Sequence, residues 1–211
     1  MNLGEIKIQA LSLLYPDESV KYDDTTERGV ENAVYELKQN HNFSGFLEAS
    51  VGAINRAFSQ IEAKGLSVIK CVDKAYSLCQ KTKDGRVMID APDDFLKIDK
   101  LLCHKREKTY ACSFEAFGNK IYTDLAGDVY TLVYYTKIPR VTRTTKDSLE
   151  IDLPAGVHEA IPYFVMAELI SGEDSQRARE AKEEFYRCLD ACEKIAAPCH
   201  QCFQIIYSME G

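Results

Sequence analysis

Long hydrophobic runs are missing from this chain of 211 residues. No stretch approaches the roughly 18 apolar residues that a membrane span requires, so we expect no membrane partner. Residues 1–7 contain an acid and lack an extended apolar core ahead of a small-residue cleavage site, which argues against a secretory signal. The sequence therefore predicts a protein that is made and used in a cytosol, or in a particle assembled there.

Blocks of positive charge are also missing. The 26 Lys and Arg are scattered along a chain whose formal net charge is −7, whereas a dedicated nucleic-acid binder usually has a basic face or tail. Sequence-specific DNA binding is therefore not expected. With 45% hydrophobic and 28% charged residues, the composition is instead typical of a folded globular protein.

The motifs that usually accompany catalysis are absent as well. The sequence contains no phosphate-binding loop of either common type, no H-E-x-x-H and no G-x-S-x-G. The pair His158-Glu159 lacks the second His that a zinc protease would need. Nothing in the sequence places a histidine beside a cysteine nucleophile. We therefore expect no enzymatic activity and no cofactor.

Apolar residues at helical spacing fill the first part of the chain. They predict a helix that stops at Tyr15-Pro16-Asp17, because proline cannot continue it. A second, short helix is predicted around residues 30–37. A third, longer helix should run from about Phe43 to a stop at Gly65.

A different periodicity follows from about residue 66 to residue 143. Alternating residues at 109–116 indicate one half-buried strand, and residues 129–135, apolar or aromatic on both faces, indicate a central strand. Further strands are predicted near residues 68–76 and 86–89. This zone should therefore form an antiparallel meander or a small sandwich.

Helical character returns from about residue 154. Residues 157–170 are apolar nearly all round, as in a buried helix that Pro162 either kinks or opens. Ser171 and Asp174 resemble a capping box for a last helix that ends before Pro198. The sequence thus predicts an α+β fold, with a helical bundle at 1–65 and 154–198, an inserted antiparallel β lobe at 66–153, and a C-terminal tail at 199–211.

Four cysteines near the C-terminus are the sharpest chemical feature. They are Cys188, Cys192, Cys199 and Cys202. Their thiolates could close a tetrahedral zinc site. The favoured interpretation is that Cys188 and Cys192 are small hydrophobic residues of the last helix, in step with its other apolar positions. We therefore expect no metal, with a zinc-stabilised interaction module as the alternative.

Basic residues follow the predicted central strand, and an apolar tail ends the chain. The candidates for contact between subunits, or with DNA inside a ring, are Tyr134, Tyr135, Lys137, Arg140, Arg143, Phe203, Ile205 and Tyr207. For the basic residues, a solvated strand end is the simpler interpretation.

Three stretches and the order of elements carry a resemblance to known proteins. The stretches are residues 53–58 (AINRAF), the strand at 129–135 followed by Ile138-Pro139, and residues 153–170 followed by Glu173-Asp174. In layout, over nearly the whole chain, the sequence resembles the head-to-tail connector, or adaptor, proteins of tailed bacteriophages, particularly the podovirus tail-tubular type. It departs from that pattern in its eight cysteines and its apolar tail.

The resemblance implies a structural protein of the virion. Its copies would form a homo-oligomeric ring, expected to be a dodecamer, that docks on the portal protein and joins capsid to tail. The other partners would be tail or second-ring proteins, with DNA passing non-specifically through the lumen. The location would be the virion neck, with assembly in the host cytoplasm. Another neck or tail-completion protein is the second possibility of this kind.

Overall fold

The computed structural model describes residues 1–16, 27–154 and 156–196. Contacts divide the chain into a helical unit, Met1–Leu66 with Pro139–Gly211, and a β lobe, Ser67–Ile138. The predicted α+β fold, a helical bundle with an inserted antiparallel β lobe, is confirmed. The tail candidates lie outside the described residues: Cys199, Cys202, Phe203, Ile205 and Tyr207.

The helical unit contains five helices in the described part of the chain: α1 (Leu3–Leu14), α2 (Glu27–Gln39), α3 (His41–Lys64), α4 (Val157–Ile170) and α5 (Ser175–Ala196). A capping box starts α1, because the Asn2 side chain accepts from the Glu5 N–H at 2.9 Å and the Glu5 carboxylate accepts from the Asn2 N–H at 2.7 Å. Gly65, with φ +71°, follows α3 and allows the left-handed exit that its end requires. The helices predicted from the apolar spacing are confirmed.

The start of α5 differs in detail from the sequence prediction. Asp174 caps it by accepting a hydrogen bond from the Arg177 N–H at 2.9 Å. Ser171 takes no part in this cap, since its hydroxyl donates to the carbonyl of Glu168, one turn back in α4, at 3.1 Å. The predicted capping box of Ser171 and Asp174 is therefore wrong, although the helix start is confirmed.

The core of the helical unit lies around α4, which contacts α1, α3 and α5. Val157, Ile161 and Val165 of α4 are completely buried. The rings of Phe164 and Phe185 pack with centroids 4.8 Å apart, which joins α4 to α5. A helix that is apolar nearly all round is stable only in such an environment, because each of its faces needs an apolar partner.

The segment at residues 139–153 belongs by its contacts to the helical unit, although the sequence prediction placed it in the β lobe. The Asn55 side chain forms two hydrogen bonds with the backbone of Val141, at 2.8 and 2.9 Å. Further along, the Leu3 N–H donates to the carbonyl of Leu149, at 2.9 Å. The bond from Leu3 satisfies a backbone group at the start of α1, where a helix has unpaired N–H groups.

The β lobe contains eight strands within the described residues: β1 (Ile69–Ala75), β2 (Gln80–Lys81), β3 (Val87–Asp90), β4 (Phe95–Lys105), β5 (Lys108–Ala111), β6 (Glu115–Phe117), β7 (Lys120–Thr123) and β8 (Val129–Thr136). They form two antiparallel four-stranded sheets, ordered β1-β8-β4-β5 and β2-β3-β7-β6. Ile89 and Ile121 from one sheet share a core with Leu101, Tyr130 and Leu132 from the other. Of the two arrangements that the sequence predicted, a meander and a small sandwich, the structure has the sandwich.

Two strand predictions differ from the structure. Residues 109–116 form two strands, because β5 pairs with β4 in one sheet and β6 pairs with β7 in the other. The single strand predicted there is therefore wrong. The longest strand, β4, was not predicted at all. Strand β8 is central, as expected, because it lies between β1 and β4.

Candidate functional site

The two adjacent tyrosines of β8 point to opposite faces of their sheet and are both buried. Tyr134 lies in the sandwich core, and its hydroxyl donates to the Asp94 carboxylate at 2.9 Å. On the other face, Tyr135 is covered in part by Lys97, whose ammonium lies 4.5 Å from the ring centroid. Both rings therefore stabilise the β lobe, and neither is the exposed interface anchor that the sequence suggested.

The three basic candidates do not form one group. Lys137 is exposed and belongs to the β lobe, whereas Arg140 and Arg143 belong to the helical unit. The Arg140 guanidinium pairs with the carboxylate of Glu62, which is mostly buried. Arg143 lies 3.6 Å from the exposed carboxylate of Glu48. Pairing with carboxylates reduces the positive field that these arginines could offer to DNA phosphates.

The described half of the cysteine set lies on α5. Cys188 and Cys192 are half-buried, and burial is the main reason why the pKa of each thiol is raised. A raised pKa disfavours the thiolate, which is the form that binds zinc. Among the described residues, no group of three His, Cys, Asp or Glu side chains could hold a metal ion.

A row of polar side chains crosses the outer face of the sheet that contains β4. Thr131 donates its only hydroxyl hydrogen to Asp73, so the Nε2–H of His104 donates to Thr131 at 2.8 Å. On the other side of the ring, Nδ1 lies 3.0 Å from the Thr109 hydroxyl. Both ring nitrogens are therefore occupied, and the histidine has no free nitrogen to act as a general base. The row links four strands and is best explained as a structural network.

A cleft of about 510 Å³ opens between α1, α4 and α5. Its volume lies in the range of small-molecule sites. Two carboxylates line the cleft, Glu159 and Glu184. Glu184 is paired with Arg187, which lowers the pKa of Glu184 and keeps it ionised. Its thiol, Cys188, has a raised pKa, chiefly because it is buried. Neither Glu184 nor Cys188 is thus prepared for acid–base or nucleophilic chemistry.

Large apolar side chains on the surface of the β lobe are the feature that sequence reasoning missed. Leu78, in the short 3-10 helix before β2, is 74% exposed, and Phe117, at the end of β6, is 65% exposed. Ile69, Tyr110 and Leu125 are partly exposed on the same lobe. Exposed apolar side chains of this size are frequent where proteins bind one another. Periodicity did not reveal them, because Leu78 and Phe117 lie beside turns.

Comparison with known proteins adds no family to these observations. No protein-family model matches the chain, and no curated protein matches it. Within the described ranges, no helix combines the length and the apolarity that crossing a membrane requires.

Proposed function

We propose that this chain is a structural head-to-tail adaptor of a tailed phage, whose copies form a ring at the joint between capsid and tail. The observation that carries this proposal is the plan of the fold. Helices α1–α3 and helices α4–α5 form one helical unit, and a β sandwich is inserted between them in the sequence. The resemblance to the connector proteins rests on this same order of elements.

The surface of the β lobe supports a role in assembly. A ring subunit needs two different surfaces that fit one another, so that each copy binds the next. Leu78 and Phe117 offer apolar contact area at the surface, and such residues carry much of the binding energy in protein interfaces.

The chemistry of the described residues also favours a structural role. The histidine of the outer sheet face has both nitrogens occupied, and the cleft between the helices contains a paired carboxylate and a thiol of raised pKa. An adaptor needs none of these groups to react. Its partners would be other copies of itself, the portal protein, and a tail or second-ring protein.

Electron microscopy of the purified protein, alone and with the portal protein of the same phage, tests this proposal, with the assembled mass measured by light scattering. We expect rings, either alone or on the portal. The double variant Leu78→Ser, Phe117→Ser should weaken assembly while the chain stays folded, because both side chains are exposed. Lys83→Ser, at an exposed turn of the same lobe, is the matched control and should assemble normally. A monomer that does not bind the portal would contradict the proposal.

A further inference from the structure

The hairpin between β4 and β5 has an unusual turn. Its two central residues, Arg106 and Glu107, have φ values of +48° and +67°. Two-residue hairpins with positive φ at both central positions prefer Asn-Gly, because side chains with a Cβ rarely adopt this conformation. The residues present are therefore unfavourable for the turn itself. Strained backbone of this kind is concentrated at functional sites. The charged side chains of this turn therefore call for a functional explanation, since they do not favour its conformation.

The tip of this hairpin presents three cations to solvent. Lys105, Arg106 and Lys108 are all exposed, and in the part of the chain that the structure describes none lies within ion-pair distance of a carboxylate. Tyr110, the next residue but one after Lys108, is 43% exposed. We call these four residues the basic tip. The basic tip combines positive charge with an aromatic surface. Two exposed carboxylates accompany its cations: Glu107 in the turn, and Asp128, which accepts a hydrogen bond from the Arg106 N–H at 3.3 Å.

The outer face of α2 has the opposite character. Its inner side chains, among them Val30 and Val34, are buried in the core of the helical unit. On the outside, Tyr35 is 64% exposed between two exposed carboxylates, Glu31 and Glu36. Neither carboxylate forms an ion pair with a side chain that the structure describes. We call these three residues the α2 face.

The two units of the chain differ in net charge in the same direction as these two surfaces. The β lobe contains 12 Lys and Arg against 10 Asp and Glu, whereas the helical unit contains 14 against 23. In residues 17–38, which lead into and include most of α2, seven acidic side chains accompany three basic ones. Opposite charges on two surfaces guide association and suppress wrong pairings.

We propose that the basic tip of one copy docks on the α2 face of a second copy. The tip's cations lie against Glu31 and Glu36, and the Arg106 guanidinium stacks on the ring of Tyr35, an arrangement that a guanidinium and an exposed aromatic ring favour. Because the two surfaces differ, each copy keeps one of them for the next neighbour, and such a head-to-tail contact can close into a ring. This inference rests on the proposed adaptor function and adds a charged contact between copies to the apolar contact proposed for Leu78 and Phe117.

Charge reversal on each side tests the docking. One variant combines Lys105→Glu, Arg106→Glu and Lys108→Glu, and the other combines Glu31→Lys and Glu36→Lys. Each alone should weaken association by roughly a hundredfold, because like charges then face one another. A mixture of the two, or a single chain with all five changes, should assemble again, since the charges are opposite once more. Circular dichroism and thermal unfolding establish that each variant is folded.

Glu107→Gly is the control at the same turn. It leaves all three cations and Tyr110 in place and removes a negative charge from the tip, so it should not weaken association. Assembly is followed by sedimentation velocity and by electron microscopy on the portal. The docking would be wrong if the two charge-reversal variants assembled normally, or if the chain with all five substitutions failed to assemble. Neither result would contradict the adaptor function. If the wild-type chain never forms rings, the adaptor function itself is wrong. If reversing the tip abolishes binding to random-sequence duplex DNA and leaves the rings intact, the tip contacts nucleic acid and the docking is also wrong.

Discussion

The buried ion pair between Lys7 and Asp147 allows a quantitative test of how the chain is held together. Lys7, on α1, contacts the Asp147 carboxylate at 2.5 Å, and their side chains are only 6% and 11% exposed. Lys38, which is 49% exposed, contacts the other carboxylate oxygen at 3.0 Å. Asp147 therefore ties the connecting segment to two helices, with one buried and one exposed partner.

Three single substitutions should differ in cost for this reason. Asp147→Asn should lower the free energy of unfolding by about 3–5 kcal/mol, because it leaves the buried ammonium of Lys7 without a counter-charge. Lys7→Met should cost about 1–3 kcal/mol, because the carboxylate keeps its bond to Lys38. Lys38→Met should cost about 1 kcal/mol or less, since its side chain is half exposed.

Urea denaturation of the wild type and the three variants measures this order. The slope of the unfolding free energy against urea should stay unchanged if only stability changes. Two results would show that burial does not decide how much unfolding free energy each substitution costs. One is a loss of less than about 1 kcal/mol for Asp147→Asn, and the other is a loss for Lys38→Met as large as that for Asp147→Asn.

The remaining predictions concern the β lobe. Glu107→Gly should raise the free energy of unfolding by about 1 kcal/mol, because glycine adopts positive φ without strain; a lower urea midpoint would refute this. Burial first, and then the carboxylate beside its hydroxyl, raises the pKa of Tyr134 to about 12. The stability that its neutral form provides is therefore complete below the ordinary pKa of 10.0 and is lost as the pH rises through about 12. Burial also raises the pKa of Tyr130 to about 12, so an ultraviolet titration should show late-ionising tyrosines whose amplitude falls by one residue in Tyr134→Phe. Identical curves would contradict the assignment. Cys71 is exposed and should be alkylated in the folded protein, whereas Cys112, whose pKa burial raises to about 11, should react only after unfolding; mass spectrometry that finds equal rates would contradict this.

Strand β4 shows why part of the fold could not be read from the sequence. Its pairing with β8 contains two register shifts, at Phe95/Lys97 and at Ile98/Lys100. Such bulges change which face a side chain points to, so the apolar residues no longer alternate at a spacing of two. The residues that pack on the sandwich core are Phe95, Ile98, Leu101 and Cys103. Their first two steps of three residues do not have the period of a strand, and β4 was missed for that reason.

The helices were predictable because their signals are local. The stripe of apolar residues, the proline after α1 and the glycine after α3 all lie within a turn of the element that they define. The surroundings of the candidate site residues are not local. Asp147 and Lys7 are 140 positions apart, and so are not brought together by any pattern in the sequence. The contact between Tyr134 and Asp94, which are 40 positions apart, could not be predicted for the same reason.

The most direct test of the proposed adaptor function is electron microscopy of the wild-type protein mixed with its candidate portal protein, with the mass of the complex measured by light scattering. The proposal predicts closed rings of this chain seated on the portal, with a mass that is a whole multiple of 23.8 kDa above that of the portal alone. A protein that remains monomeric and leaves the portal bare would contradict it.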